Sequence, residues 1–147
     1  MRAAYYEKNG PAAEVLHVGE VETPQPGAGE VRIKLKTSGV NPSDVKTRAG
    51  LARKIAYPRV IPHSDGAGVI DMVGEGVSQS RIGERVWTWN GFWKRPYGTA
   101  AEYITCSVWC FAPVWSAVRV AALGVTPATS SGMRGPPHTK QRKPSAA

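Results

Sequence analysis

The chain has 147 residues, a formal net charge of +8, 41% apolar residues and 20% charged residues, which is ordinary for one folded domain. No apolar run approaches the ~20 residues of a membrane-spanning helix, and two cysteines exclude a disulfide scaffold or a four-cysteine zinc site. The first eight residues turn polar too early for a secretory signal, so we expect a cytoplasmic protein.

The positive charge is concentrated near the end of the chain. Residues 1–105 carry 14 Lys and Arg against 11 Asp and Glu, whereas residues 106–147 carry five basic residues and no acid. From residue 126 onward Pro, Ser, Thr, Gly and basic residues dominate, a composition typical of disordered chain. We therefore predict a folded domain over 1–105 and an irregular or disordered tail over 106–147.

The first part of the folded region predicts strands. Residues 31–35 alternate apolar and charged side chains, which is the period-two pattern of a half-buried strand. Residues 1–6 and 15–21 are two further candidate strands, placed on either side of a turn at 8–11.

A short helix is predicted after this strand. Asn41 suits the N-cap, Pro42 suits the first helical position, and Asp44 falls in the first turn, where a negative charge complements the helix dipole. Gly50 is a natural end for the helix, which gives it about two turns.

Three more strands are predicted, over 69–73, 85–89 and 101–105. The alternation of Trp87 and Trp89 places both on one face of their strand, which we assign to the barrel core or to a wall between domains. Short strands separated by Gly and Pro favour a mainly β fold with short helices, a barrel or a sandwich, over a βαβ array.

Four motifs keep a common order: SGVNPSDVK at 38–46, PHSDGAGV at 62–69, IGERVW at 82–87 and GTAAEY at 98–103. Together they resemble the catalytic-domain half of medium-chain dehydrogenases/reductases. The zinc-free quinone oxidoreductases, or zeta-crystallin-like proteins, are the most similar branch. The resemblance implies a GroES-like β-barrel (α+β) over about residues 1–105, which in the family precedes a Rossmann domain.

A Rossmann domain is not expected in this chain. The sequence contains no Gly-x-Gly-x-x-Gly turn, and we predict that Gly66-Ala67-Gly68 forms a tight turn of the barrel. A hypothesis for the acid-free tail is a shift of the gene or its predicted reading frame near Cys106. The alternative is a natural short form that ends in a basic tail.

The resemblance implies a set of site residues in the cleft that faces the cofactor. Asn41 and Asp44 are the catalytic candidates. Asn41, Lys46 and Thr129 are the candidates for cofactor contacts. Ser64 and Asp65 are expected to shape the substrate cleft. The residues themselves leave simpler roles open: Asn41 as a helix cap, Asp44 as a first-turn acid and Lys46 as a solvated surface residue.

No metal site is expected. In the zinc alcohol dehydrogenases a Cys stands where this chain has Asn41, and a His-Glu pair stands where it has Ser64 and Asp65. Asn and Ser are poor zinc ligands, and a lone His63 is more often a loop residue than a ligand.

The resemblance implies NADPH as cofactor and a quinone or activated alkene as a small-molecule substrate. The intact family member is expected to be a homodimer without a membrane segment or a specific nucleic-acid partner. We expect this chain alone to lack turnover. The alternative function is a stand-alone β-barrel binding module with a basic, weakly nucleic-acid-binding tail. In that alternative the aromatic and basic residues near Trp93, Lys94 and Arg95 would stack on bases and contact phosphates.

Overall fold

The computed structural model describes residues 1–52, 54–92, 94–108 and 110–113. Within these residues the chain is mainly β with short helices, as predicted. The elements in chain order are β1 (Arg2–Tyr5), α1 (Ala12–Val15), β2 (His17–Glu20), β3 (Glu30–Gly39), α2 (Pro42–Arg48), β4 (Asp65–Val73), a short 3-10 helix (Gln79–Arg81), β5 (Arg85–Thr88), β6 (Tyr103–Ser107) and β7 (Phe111–Pro113).

The strands form two antiparallel sheets. β1 pairs with β2, and the other five strands form a sheet in the order β6-β3-β4-β5-β7. Isolated bridges between Ala3 and Ala101 and between Tyr6 and Val60 attach the N-terminal part of the chain to the loops of the larger sheet. Strands that pair come from distant parts of the sequence, and the antiparallel pairing of β3 with β4 places the end of β3 beside the start of β4.

One face of the larger sheet carries the main core. Its buried side chains are Val31, Ile33, Ile70, Val86, Ile104, Cys106 and Phe111. The predicted alternation in β3 is confirmed because Val31 and Ile33 are fully buried while Lys34 and Lys36 are exposed. Burial of each such aliphatic side chain contributes about 1.5–3 kcal/mol to the hydrophobic driving force.

The predicted strand over 15–21 is wrong at its start. Residues 12–15 form one helical turn, and only His17–Glu20 are extended. Pro11 fixes a φ of −61° before the turn, and the Leu16 N–H donates to the Ala12 oxygen at 2.9 Å. The turn buries Val15 against Tyr6 and Val60 in a second, smaller core, so tertiary packing overrides the β-branched preference for a strand.

The predicted turn at Gly66-Ala67-Gly68 is also wrong. These residues lie inside β4 and pair with β3. A Cβ at Gly68 would lie 2.2 Å from the Lys34 backbone oxygen, and one at Gly66 would lie 2.8 Å from the Thr37 oxygen. The glycines therefore permit a close approach of two strands, which is a different use of glycine from a turn.

Trp87 and Trp89 share one face, as predicted, but that face is not the core. Val86 and Thr88 are fully buried, whereas Trp87 is 39% exposed and Trp89 is 36% exposed. Their rings lie 4.8 Å apart at an angle of 38°. Val86 and Thr88 occupy the inner positions, so the core placement of the two tryptophans is wrong and their place at a wall between domains stays a prediction.

The strands continue beyond residue 105. β6 extends to Ser107, and β7 pairs with β5 over Phe111–Pro113. Thr129 and most of the predicted tail lie outside the described residues. No helix in the described part of the chain is long and apolar enough to cross a membrane.

Candidate functional site

The start of α2 holds the two residues predicted as catalytic. Asn41 occupies the N-cap with an extended backbone, and Pro42 is the first helical residue, as predicted. The Asp44 carboxylate accepts a hydrogen bond from the Asn41 backbone N–H at 2.7 Å. Asp44 therefore serves the helix terminus in the way that a first-turn acid is expected to.

The Asn41 side chain reaches a different element. Its amide nitrogen donates to Asp65 Oδ2 at 2.7 Å. Asp65 is the first residue of β4, and its Cα pairs with Gly39 at the end of β3. The bond fixes the amide plane of Asn41, and the Asn41 side chain also accepts from the Asp44 backbone N–H in a capping box at the start of α2. An amide nitrogen has two hydrogens, so one remains for donation beyond the bond to Asp65.

A second hydrogen-bond network adjoins Asp65. Ser38 Oγ lies 2.8 Å from His63 Nδ1 and 3.0 Å from Thr99 Oγ1. The Thr99 hydroxyl donates to the Asp65 backbone oxygen at 2.7 Å, and the Thr99 N–H donates to the His63 oxygen at 2.9 Å. Asp65 therefore contacts Asn41 through its side chain and Thr99 through its backbone.

The loop before β4 is held by its backbone. His63 has a φ of +74°, which is a left-handed conformation uncommon for a residue with a Cβ. The Ser64 oxygen accepts from the Gly91 N–H at 2.9 Å, and a Cβ at Gly98 would lie 2.1 Å from the His63 oxygen. Ser64 thus contributes its backbone to the loop before β4, and its role with Asp65 in shaping a substrate cleft stays a prediction.

The predicted cofactor contacts are less well defined. Lys46 is exposed on α2 and makes no ion pair among the described residues, which agrees with either a cofactor contact or a solvated side chain. Of the basic residues that the nucleic-acid alternative uses, Arg95 is already engaged. It pairs with Glu30 and donates to the Thr105 oxygen at 2.9 Å.

An apolar cavity of about 290 Å³ lies near the other end of α2. Thr47 of the helix lines it together with Tyr6, Tyr57, Val60 and Phe92. Six residues of helix separate Thr47 from Asn41, a rise of about 9 Å. The cavity is therefore separate from the Asn41 and His63 networks.

The described residues contain no group of three His, Cys, Asp or Glu side chains able to hold a metal ion. Asn41 and Asp65 are hydrogen-bonded to each other, and Ser64 is a poor zinc ligand.

Ser38 and Thr99 were missed by the sequence reasoning. They are 61 positions apart, and only the folded chain brings Thr99, in the loop before β6, next to Ser38 in β3. His63 was noted only as a loop residue. Its place directly before Ser64 and Asp65 was the one available signal that it borders the site.

Residues 27–116 match the alcohol dehydrogenase GroES-like domain. The match covers more than half of the chain, so the chain belongs to this family of domains of the medium-chain dehydrogenases/reductases. The resemblance inferred from the four motifs and the GroES-like fold are thereby confirmed.

Two relatives show the range of the similarity. The starvation-sensing protein RspB of Escherichia coli is 51% identical over 71 residues, which are 48% of this chain and 21% of that protein. The chloroplastic quinone oxidoreductase of Triphysaria versicolor is 36% identical over 112 residues, which are 71% of this chain and 34% of that protein. The chain therefore spans about a fifth to a third of the length of these relatives.

Solved structures of similar proteins have the same fold over about three quarters of this chain. A quinone oxidoreductase from Coxiella burnetii superimposes with a TM-score of 0.67 at 26% identity, over 77% of this chain and 36% of that chain. A mycobacterial protein in complex with NADPH superimposes with a TM-score of 0.65 at 28% identity, over 78% of this chain and 34% of that chain.

Proposed function

We propose that this chain forms the substrate-side wall of a zinc-independent quinone oxidoreductase that uses NADPH. The reaction is the transfer of a hydride to a quinone or activated alkene. Two similar proteins named quinone oxidoreductases and one mycobacterial structure with NADPH support this choice over other oxidoreductases. The proposal extends to a soluble cytoplasmic protein that is a homodimer in its intact form.

The hydrogen bond between Asn41 and Asp65 carries the proposal. A carboxamide is neutral, and the amide hydrogen of Asn41 that Asp65 does not take can be donated to a substrate carbonyl or to the oxygen of a nicotinamide carboxamide without a metal. Asp65 fixes the orientation of this amide at 2.7 Å, which removes the cost of ordering it when a ligand binds. Such a group can orient a carbonyl, while charge on the reacting oxygen needs further donors.

The residues fit the nicotinamide end of NADPH and leave the pyrophosphate unassigned. Asn41 would contact the carboxamide, and Lys46 and Thr129 would contact the rest of the cofactor. NADPH supplies the hydride when it is bound. The sequence has no glycine-rich turn before a helix to cradle the pyrophosphate, so we expect the chain alone to bind NADPH weakly and to show no turnover.

A fluorescence titration with NADPH tests the proposal. The chain is titrated alone and together with the separately produced nucleotide-binding domain of the Coxiella burnetii quinone oxidoreductase. We expect a saturable increase in NADPH fluorescence in the mixture that exceeds the sum of the increases measured with each part alone. Addition of a zinc chelator should leave the titration unchanged.

The variant Asn41→Leu tests the residue that carries the proposal, and Ser43→Ala on the exposed face of α2 is its control. In the mixture, Asn41→Leu should lower the affinity for NADPH by about tenfold, the loss expected for one good hydrogen bond. Equal behaviour of both variants contradicts the proposal. Saturable RNA binding by the chain that persists at physiological salt would favour the binding-module alternative.

A further inference from the structure

The network of Ser38, His63, Thr99 and Asp65 fixes the direction of each hydrogen bond. The Thr99 hydroxyl has one hydrogen, and it is donated to the Asp65 oxygen at 2.7 Å. Thr99 Oγ1 can therefore only accept from Ser38 Oγ, 3.0 Å away. Ser38 then has no hydrogen left for His63, so His63 Nδ1 must carry the hydrogen of their 2.8 Å contact.

This direction determines which ring nitrogen of His63 exchanges protons. With Nδ1–H held by Ser38, neutral His63 has its lone pair on Nε2. Charged His63 carries hydrogens on both nitrogens, and the Nδ1–H bond to Ser38 is the same in both states. Protonation and deprotonation at Nε2 therefore require no rearrangement of Ser38 or Thr99.

The network also excludes an alternative for Ser38. A nucleophilic serine needs a neighbouring base that accepts its hydroxyl hydrogen. The hydrogen of Ser38 points to Thr99, and His63 is its donor. The contact between Ser38 and His63 consequently orients the imidazole and does not activate the serine.

His63 faces an open groove. Ser38, His63 and Thr99 line this groove of about 330 Å³ at the end of β3. His63 is partly exposed, so a small molecule in the groove has access to the ring. Thr99 is fully buried, which shields the inner end of the network from water.

The charged groups around the groove are few. Lys36 and Glu102 line it, and Asp65 begins the adjoining strand. The Glu102 carboxylate accepts from the Arg2 N–H at 2.9 Å, and the Asp65 carboxylate accepts from the Asn41 amide. Both carboxylates have donors but keep their negative charge, so Lys36 offsets Glu102 in the groove. The positive charge that favours an oxyanion there is that of protonated His63.

We propose that this groove binds an oxyanion of the phenolate or enolate class and that His63 Nε2 donates a proton to it. The inference rests on the proposed function, for which it supplies the proton source. As a quinone or enone receives its hydride at carbon, an O–H bond forms at its oxygen. The Nε2–H bond breaks, its electron pair stays on the imidazole, and neutral His63 retains its Nδ1–H.

The first test measures the tautomer of His63. Long-range ¹H–¹⁵N spectra of the full ¹⁵N-labelled chain, at a pH where histidines are neutral, should show a pyrrole-type Nδ1 and a pyridine-type Nε2. Ser38→Ala should move the population toward the Nε2–H form, while Ser43→Ala should not. A pyridine-type Nδ1 in the wild-type chain overturns the proposal whether or not NADPH binds.

The second test uses 4-nitrophenolate as the oxyanion probe. Its addition should shift the His63 ring signals, Nε2 above all, and leave those of exposed His17 unchanged. His63→Asn is chosen because Asn tolerates the left-handed backbone of this position. This variant should bind the probe about tenfold more weakly or worse. His17→Asn is the matched control.

The outcomes separate the two proposals. Unchanged His63 signals at millimolar probe, or equal shifts at His63 and His17, overturn the proton-donor role. The expected tautomer and probe response, combined with failure of the NADPH titration in the mixed sample, would contradict the oxidoreductase and leave the oxyanion site standing. Success of the NADPH titration together with a pyridine-type Nδ1 would support the oxidoreductase and contradict the oxyanion site with His63 as its proton donor.

Discussion

The side-chain amide of Asn41 donates to Asp65 Oδ2 and so ties the first turn of α2 to the first residue of β4. The two residues are 24 positions apart, and both were singled out from the sequence for separate roles. Their contact makes them one unit, in which the carboxylate orients the amide and the amide satisfies the carboxylate.

This contact predicts a graded stability loss. Asp65→Ala removes the acceptor and should lower the free energy of unfolding by about 1.5 kcal/mol, whereas Asp65→Asn retains an oxygen acceptor and should lose less than half as much. Urea unfolding followed by circular dichroism measures both values. Equal losses would show that the hydrogen bond contributes nothing beyond the shape of the residue.

The approach of Gly68 to the Lys34 oxygen predicts a larger loss. Gly68→Ala places a Cβ 2.2 Å from a backbone atom, so β3 and β4 must separate, at a cost of about 3 kcal/mol. Gly19 of β2 is the matched control because a Cβ there would meet only Tyr5 atoms at 3.6 Å. Thermal melts of both variants should show a marked fall in Tm for Gly68→Ala alone.

The pair of Arg32 and Asp71 predicts a third loss. Arg32 donates to both Asp71 oxygens, at 2.9 to 3.3 Å, and the hydrogen bond to Asp71 is the main reason that the pKa of Arg32 is raised. The Arg32 side chain is 11% exposed, so Asp71→Ala leaves a largely buried charge without its partner. We expect a loss of about 3 kcal/mol by chemical denaturation.

The more exposed pair of Arg59 and Glu7 is the control for that variant. Its side chains are 40% and 52% exposed. Glu7→Ala should change the free energy of unfolding by less than about 1 kcal/mol. Similar losses for Asp71→Ala and Glu7→Ala would contradict the importance assigned to burial.

Burial of Cys106 predicts a sensitivity to alkali. Burial is the largest cause that raises the pKa of this thiol from 9.0 to about 12. Between these values the unfolded thiol loses its proton and the folded thiol keeps it, so stability falls as the pH rises. The slope contributed by this group is on the order of 1 kcal/mol per pH unit.

Denaturation at several pH values from about 8 to 11 measures this slope. Cys106→Ala should remove this contribution, and Cys110→Ala should reduce it only in part, because the charge of Cys110 is a smaller cause of the raised pKa of Cys106 than burial is. Wild-type and Cys106→Ala proteins with parallel pH profiles would show that the thiol remains neutral in both states or ionises equally in both.

Local patterns in the sequence identified the parts of the fold that local chemistry determines. The alternation in β3 and the cap, proline and acid at the start of α2 each act within a few residues, and both predictions are confirmed. The roles of the glycines in β4 and of Trp87 and Trp89 depend on which strand lies alongside and which face meets the core. Residue spacing alone does not contain that information, so the turn at the glycines and the core placement of the tryptophans were wrong, while their place at a wall between domains stays a prediction.

The residues of the candidate site also separate into those that sequence motifs identified and those that only the fold brings together. Motif resemblance pointed to Asn41 and Asp65, but the contribution of Ser38 and Thr99 arises from residues 61 positions apart that only the folded chain brings within 3.0 Å. His63 gains its assignment from this contact, because the hydrogen-bond partner that sets the tautomer of a histidine cannot be identified from its sequence neighbours.

The tilted, closely spaced indoles of Trp87 and Trp89 also give the molecule an optical signature. Two chromophores 4.8 Å apart and inclined by 38° couple their electronic transitions and split the far-ultraviolet dichroism into a pair of bands of opposite sign. Such a couplet depends on the mutual orientation of the Trp87 and Trp89 rings, at the end of β5 and just after it. Its amplitude would follow any molecule that settles on this outward surface, without a label being attached.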